Sequence, residues 1–135
     1  MVTWDIVPFE GLGPLRFGMA RTEIRTLLPY RYREFAKVIG TSQTTDAYDD
    51  PGLHLYYDDG NQLEFIEAFE PADPVFEGIH VLSPDRGAVL EQLKGLGYHA
   101  RYDDGGYFLD NLGFTLYAPG ETIEAVSVFR KGYYS

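Results

Sequence analysis

The sequence predicts an α+β fold in which two tandem repeats, each a helix followed by an antiparallel β-meander, join into one sheet with both helices on one face. A short helical pattern is followed by strand-like segments twice, and the segment 52–69 aligns with 113–129. A helix with one meander is small alone, whereas two joined units bury a continuous core. The repeats cover about 14–70 and 76–131, and together they form a single domain over 1–135.

The internal alignment pairs residues of the same kind, with one residue fewer in the second turn. The pairs are Gly52 with Gly113, Leu55 with Leu116, Tyr56 with Tyr117, Glu64 with Glu124, and Phe69 with Phe129. We expect the sheet face opposite the helices to stay open. That face is expected to carry Tyr- and Asp-rich positions.

The first helix is predicted over 20–28. Ile24, Leu27 and Leu28 share one face at helical spacing, and Pro29 ends the segment. Ala20 stands where a capping hydroxyl belongs, so a cap worth about 1 kcal/mol is missing. The preceding segment, 5–18, is rich in Gly and Pro and is predicted to be a loop with short extended pieces.

The first meander has its clearest strand signal at 53–57, where leucine and tyrosine alternate with His54 and Tyr56. Asp-Asp-Gly-Asn at 58–61 predicts a turn, and 63–69 predicts the returning strand, with Leu63, Phe65 and Phe69 on one face. The remaining segments are predicted to be an edge strand or irregular at 31–39 and a linker at 70–74.

The second half repeats this order. Residues 76–82 are predicted to be extended, Ser83 is predicted to cap the helix, and Pro84 is its first residue. The helix runs to Leu96, which faces inward, and Gly97 ends it. The strands that follow are predicted at 98–102, 107–110, 112–117 and 122–130, with turns at 103–106 and 118–121.

Composition excludes several classes of protein. The 135 residues are 44% hydrophobic and 16% aromatic, which is typical of a globular chain and not of a disordered one. No apolar run approaches the length of a membrane-spanning helix. The absence of cysteine excludes disulfides, thiolate metal sites and a cysteine nucleophile. The first residues lack the features of a secretion signal, so we expect a cytoplasmic protein.

The net charge of −10, from 21 acids and 11 bases, argues against nucleic-acid binding and against binding to anionic membranes. The charges are also segregated, because 38–77 and 102–129 contain acids and no Lys or Arg. Much of the basic charge lies within 16–37, where Arg21 and Arg25 are predicted to form a solvated helix face. A surface of one sign steers a partner of the opposite sign.

One short segment carries a resemblance to known families. The segment at 14–28, PLRFGMARTEIRTLL, resembles the opening of small bacterial helix-plus-meander domains, through the scaffold residues Phe17, Gly18, Met19, Glu23, Ile24, Leu27 and Leu28. Such domains include outer-membrane assembly lipoproteins of the SmpA and OmlA type and the beta-lactamase inhibitory proteins. The latter are tandem repeats that bind an enzyme through an aromatic and acidic sheet. The chain has neither their disulfides nor a lipid-modified cysteine, so the resemblance points to an intracellular relative, similar to bacterial immunity proteins.

Catalytic and metal-binding motifs are weak. His54, His80 and His99 lie in separate segments without the spacing of metal ligands, so no metal and no cofactor is predicted. Ser42 and Ser127 have no nucleophile-elbow context. The acids offer many accidental carboxylate pairs, and the sequence selects none of them for glycoside hydrolysis.

Tyrosine beside aspartate is the most suggestive pattern, and Tyr-Asp-Asp occurs at 48–50, 57–59 and 102–104. Tyrosine supplies rigid contact area at interfaces. The sequence therefore predicts a non-enzymatic binding protein, of inhibitor or immunity type, that contacts a basic protein. The predicted contact residues are Tyr48, Asp49, Tyr56, Asp58, Asp59, Tyr102, Asp103 and Tyr117. Two alternatives stay open: a scaffold domain that docks by strand addition, and a small hydrolase or ligand-binding protein with paired carboxylates.

Overall fold

The computed structural model describes residues 3–36 and 43–134, which form an α+β fold with two helices and two β-sheets. In chain order the elements are β1 (Trp4–Val7), β2 (Gly11–Leu12), β3 (Leu15–Arg16), α1 (Arg21–Leu27), β4 (Arg33–Ala36), β5 (Thr44–Tyr48), β6 (Leu53–Tyr57), β7 (Leu63–Ala68), β8 (Pro74–Phe76), β9 (Ile79–His80), α2 (Arg86–Gly95), β10 (Arg101–Asp103), β11 (Gly106–Leu109), β12 (Phe114–Tyr117) and β13 (Ala125–Phe129).

The larger sheet has eight strands in the order β10-β11-β12-β13-β7-β6-β5-β4. It consists of two antiparallel four-stranded meanders, and the last strands of the two, β13 and β7, pair antiparallel at its centre. The hairpins β6–β7 and β12–β13, whose sequences align, therefore lie side by side. The smaller sheet has the order β3-β2-β1-β8-β9, and β1 pairs with β8 in parallel.

A single hydrophobic core joins both sheets and both helices. One set of alternating residues in each central strand is buried, as expected for a sheet with one covered face. Helix α1 contributes Ile24, Leu28 directly after it contributes a second side chain, and helix α2 contributes Val89 and Leu93. The fully buried strand residues include Leu12, Leu15, Leu53, Leu55, Ile66, Leu116, Val126 and Val128.

A β-bulge corrects the predicted facing of one strand. The pairing of β6 with β7 shifts between Tyr56 and Tyr57, so that Tyr56 lies opposite Phe65 and Tyr57 lies opposite Leu63. The extra residue, Glu64, moves Leu63 onto the buried face. Leu63 is buried while Phe65 is half-buried, so the two do not share a face as the simple alternation predicted.

Helix α1 matches its prediction, and its first position, Ala20, makes no side-chain capping hydrogen bond. Helix α2 begins later than predicted, because Asp85 is its cap and accepts a hydrogen bond from the Ala88 N–H at 3.0 Å. Ser83 instead accepts from the N–H of Asp85, so the predicted cap was wrong by two residues. Leu27 and Leu96 were predicted to face inward, but 45% and 50% of their surfaces are exposed.

Strands also form in segments that show little strand pattern. The predicted loop at 5–18 contains β1, β2 and β3, and the extended segment 76–82 is divided between the hairpin strands β8 and β9. Strand β5 was not predicted at all. The predicted edge strand at 31–39 is present as β4, and its last three positions lie outside the described residues.

Candidate functional site

The eight-stranded sheet has a second face, here called the open face, that is less covered than the first. In β6, Leu53 and Leu55 are fully buried, whereas His54 and Tyr56, which alternate with them, are half-buried. The register places Phe65 beside Tyr56 and Phe129 beside Phe65 on this face. Ring centroids are 5.3 Å apart for Tyr56 and Phe65, and 6.3 Å apart for Phe65 and Phe129. The central strands of the open face are therefore aromatic toward the end at which β13 finishes.

One end of this sheet gathers acidic residues. The register aligns Asp103 with Gly106, Gly106 with Tyr117, and Tyr117 with Ala125. The neighbouring pairs in β13, β7, β6 and β5 continue the same line. The β5–β6, β10–β11 and β12–β13 connections and the segment after β7 therefore leave the sheet at this end. We call the acids of these connections the acidic rim: Asp49, Asp50, Glu70, Asp103, Asp104, Glu121 and Glu124.

The β4 corner of the acidic rim is partly neutralised. Arg33 forms an ion pair with Asp49 at 3.2 Å. A cleft of about 650 Å³ at this corner is lined by both of these residues and also by Arg31 and Asp50. Positive and negative groups therefore share the cleft, and its net charge is small.

The middle of the acidic rim keeps its negative charge. A cleft of about 410 Å³ lies between the end of β7 and the β12–β13 connection, and its lining includes Glu70, Glu124, Phe69 and Ile123. Its described lining residues include no Lys or Arg. Arg86, whose Nη1 donates to the carbonyl of Gly120 at 2.6 Å, lies outside this cleft and shares a neighbouring cleft with Glu121, so its positive charge offsets the rim there.

Four predicted contact residues lie on the open face or on the acidic rim. Asp49 and Asp103 belong to the acidic rim, at opposite sides of the sheet. Tyr117 lies on the open face beside the acidic rim and is 45% exposed. Tyr56 lies on the open face nearer the other end, where its hydroxyl donates to Glu67 Oε1 at 3.0 Å.

Three other predicted residues lie elsewhere. Asp58 and Asp59 belong to the β6–β7 turn, at the end of the sheet opposite the acidic rim. Asp58 Oδ1 accepts the N–H groups of Gly60 and Gln62, so it fixes the turn. Tyr102 lies on the edge strand β10 and is 62% exposed, but it shares a side with Tyr107 and not with the open face.

Tyr48 was predicted to contact a partner, and its position contradicts that role. Its side chain is fully buried in the core, opposite Leu53. Burial, together with the charge of Asp46, raises the pKa of Tyr48 to about 12. Its hydroxyl has no hydrogen-bond partner within the described residues. The parity of β5 directs this tyrosine inward, which the turn-like sequence around it did not reveal.

A buried group of charges lies beneath β5, and we call it the Asp46 cluster: Arg21, Arg25, Asp46 and Tyr57. Arg21 Nη2 lies 2.7 Å from Asp46 Oδ1. Arg25 binds the same carboxylate with two nitrogens, at 2.7 and 2.9 Å, and Tyr57 donates its hydroxyl at 3.0 Å. Arg21 and Arg25 are therefore held by a carboxylate, and the predicted solvated face was wrong.

The Asp46 cluster holds its carboxylate ionised. Burial alone would raise the pKa of Asp46, but hydrogen bonds from Arg25, Arg21 and Tyr57 outweigh that effect and lower it. The hydrogen bond to Asp46 likewise raises the pKa of Arg25. A carboxylate held in this state by four hydrogen bonds is suited to stabilising the fold and is a poor proton acceptor.

Sequence reasoning missed most of the acidic rim and the aromatic centre of the open face. Glu70 was assigned to a linker, Glu121 to a turn and Glu124 to the strand at 122–130, because nothing local indicates that these segments meet at one end of the sheet. Phe65 and Phe129 carried a usable signal, since each alternates with buried residues in a strand. Following that alternation to the less buried face would have identified both phenylalanines as residues of the open face.

Comparisons with family models, curated proteins and solved structures found no match for the chain. Among residues 3–36 and 43–134, no group of three or more His, Asp or Glu side chains could hold a metal ion. Neither described helix has the length and apolar character needed to cross a membrane. The open face and the acidic rim, which meet at Tyr117, form the candidate site.

Proposed function

We propose that the chain is a non-enzymatic protein-binding protein of the inhibitor or immunity class, which works in the cytoplasm and docks a basic protein. The carrying observation is that the acidic rim lies along one end of the open face, whose middle strands carry aromatic side chains toward the other end. A rim of one sign accelerates encounter with an oppositely charged surface, and aromatic side chains supply affinity once water is excluded. The same negative charge disfavours nucleic acid and anionic membranes as partners.

We also infer that the two meanders are tandem repeats, with both helices on the covered face of the sheet. Aligned residues make equivalent bonds: the Phe69 N–H donates to Gly52 at 2.8 Å, and the Phe129 N–H donates to Gly113 at 3.0 Å. Both glycines have positive φ, 104° and 72°, which explains why glycine stands at both positions. Helix residues from both halves share one core, which supports a common face.

The strand-addition alternative has less support. The two edges of the larger sheet are β10 and β4. Strand β10 has three residues, including Arg101 and Asp103, and short charged edges discourage pairing with another chain. Strand β4 also carries charges, at Arg33 and Glu34.

The hydrolase or ligand-binding alternative needs a cavity with a desolvated carboxylate as proton acceptor. Asp46 is the fully buried carboxylate of the described residues, and two arginines bind it. The carboxylates of the clefts, such as Glu70 and Glu124, are exposed. These features favour a binding role.

The test combines capture with kinetics. The chain is immobilised, basic proteins captured from lysate of its source cell are identified by mass spectrometry, and association rates with the purified partner are measured against salt. The rim variant is Glu70→Gln/Glu121→Gln/Glu124→Gln. We expect its association rate to fall about tenfold, and added salt to lower the unmodified chain's rate.

The control variant, Glu10→Gln/Glu23→Gln/Glu91→Gln, removes the same number of charges from exposed positions outside the rim. It is expected to change the association rate far less. Equal decreases of the association rate in the two variants, or association rates that do not change with salt, would overturn docking through the acidic rim.

A further inference from the structure

The last described residues lie on the open face and enlarge its aromatic centre. We call this set the aromatic patch: Phe65, Phe108, Phe129, Tyr133 and Tyr134. Tyr133 lies 4.8 Å from Phe65, and Tyr134 lies 4.9 Å from Phe129 in an edge-to-face arrangement. Tyr134 also lies 5.9 Å from Phe108, so it packs on the second meander, whereas Tyr133, which contacts both Phe65 and Phe129, bridges the two meanders.

The segment that carries the two tyrosines is fixed to the sheet. The Arg130 N–H donates to the Glu64 carbonyl at 3.1 Å, and its guanidinium donates to Glu64 Oε1 at 3.2 Å. The Tyr133 N–H then donates to the Arg130 carbonyl at 3.2 Å, which closes a turn. Rings held in this way lose little further conformational freedom when a partner binds.

Exposure differs sharply within the aromatic patch. Phe129 is 4% exposed, whereas Tyr134, which rests on it, is 59% exposed. A tyrosine that is supported by other rings and open to solvent on its outer side has the features of an interface hot spot. Its ring can accept a cation, and its hydroxyl can form a hydrogen bond.

We propose that Tyr134, seated on the aromatic patch, is the affinity anchor of the docking surface and stacks against an arginine side chain of the basic partner. This inference rests on the proposed function, because the net charge of −10 and the acidic rim define the partner as basic. The chain already stacks guanidinium groups on rings, with Arg101 4.5 Å from the Phe108 ring centroid and Arg25 4.5 Å from that of Tyr32. Arginine is the cation that such stacking most often uses.

The test uses an oligo-arginine peptide as the probe, with an oligo-lysine peptide of equal charge beside it. Binding to the unmodified chain and to Tyr134→Ala is followed by NMR of the tyrosine rings and by calorimetry. We expect oligo-arginine to shift the Tyr134 ring signals, and Tyr134→Ala to weaken its binding about fivefold. Tyr134→Phe keeps the ring and is expected to bind within about twofold of the unmodified chain.

The matched control is Tyr102→Ala, since Tyr102 is equally exposed but lies off the open face. Circular dichroism verifies that all variants are folded. Equal binding by Tyr134→Ala and Tyr102→Ala, or no shift of the Tyr134 signals, would overturn the anchor. If the rim variant alone loses binding, the anchor is wrong and the proposed function stands; if the rim variant binds like the unmodified chain, the proposed function is wrong.

Discussion

The Asp46 cluster and the acidic rim use the same chemical group in opposite ways. Asp46 is fully buried and accepts hydrogen bonds from two arginines and a tyrosine. Glu70 and Glu124 are exposed, and the cleft that they line includes no described base. The carboxylate in the core is compensated inside the molecule, whereas Glu70 and Glu124 in the middle of the acidic rim are left for solvent or for a partner, although Asp49 and Asp103 at its two corners form ion pairs with Arg33 and Arg101.

This difference separates charges that hold the fold from charges available for binding. A buried carboxylate must be paired, because losing water costs several kcal/mol per ion. An exposed one keeps its hydration and gains little from pairing. Substitutions in the Asp46 cluster should therefore change stability, and substitutions in the acidic rim should change association.

The largest effect is expected for Asp46→Asn. The change removes the negative charge and leaves Arg21 and Arg25 with the half-exposed Glu34 as their remaining acidic partner, which should lower the free energy of unfolding by about 3 kcal/mol. Urea denaturation followed by tryptophan fluorescence measures the change. Asp104→Asn makes the same chemical change on the acidic rim and should leave the midpoint as it is. Similar losses in the two variants would contradict the comparison.

A smaller effect is expected on acidification, because a protonated Asp46 keeps part of its hydrogen bonding. The pKa of Asp46 is lower in the folded chain than its ordinary value of 3.8. Its contribution to stability is therefore complete above that value and is lost as pH falls through the lower folded pKa. Denaturation midpoints measured down to acid pH should fall less steeply for Asp46→Asn than for the unmodified chain. If the midpoints of the two chains fell equally steeply with pH, the stability of the fold would not depend on the ionisation of Asp46.

The smallest effects come from two buried tyrosines that differ in one bond. Tyr57→Phe removes the hydroxyl that donates to Asp46, and should cost about 1.5 kcal/mol. Tyr48→Phe removes a buried hydroxyl that has no partner within the described residues, and should leave stability unchanged or raise it by about 1 kcal/mol. Thermal unfolding of the pair is the measurement. Equal destabilisation by both would mean that the bond to Asp46 contributes nothing.

The three Tyr-Asp-Asp triplets show how far local sequence predicts a site. Tyr48, Tyr57 and Tyr102 all lie on the same side of the eight-stranded sheet, opposite the open face. Tyr48 and Tyr57 belong to inner strands and are buried, whereas Tyr102 belongs to an edge strand and is 62% exposed. Identical triplets thus have different environments, because exposure depends on the strand order and not on neighbouring residues.

The position of the acids was decided in the same way. Because β7 and β13 pair antiparallel, the β6–β7 turn with Asp58 and Asp59 lies at one end, and the β12–β13 connection with Glu121 lies at the other. The aligned turns of the two hairpins therefore cannot join one acidic surface. The acidic rim instead combines the β12–β13 connection with the β5–β6 and β10–β11 connections.

The α+β class, the two helices, the central hairpins and the excess of negative charge could be predicted from the amino-acid sequence, because periodicity, turn residues and composition act locally. The binding of Arg21 and Arg25 by Asp46, and the position of the acidic rim at one end of the open face, follow from the tertiary arrangement of the strands. Both outcomes depend on which strands become neighbours and in which direction they run. That choice is made by burial of the whole core, to which residues far apart in the chain contribute together.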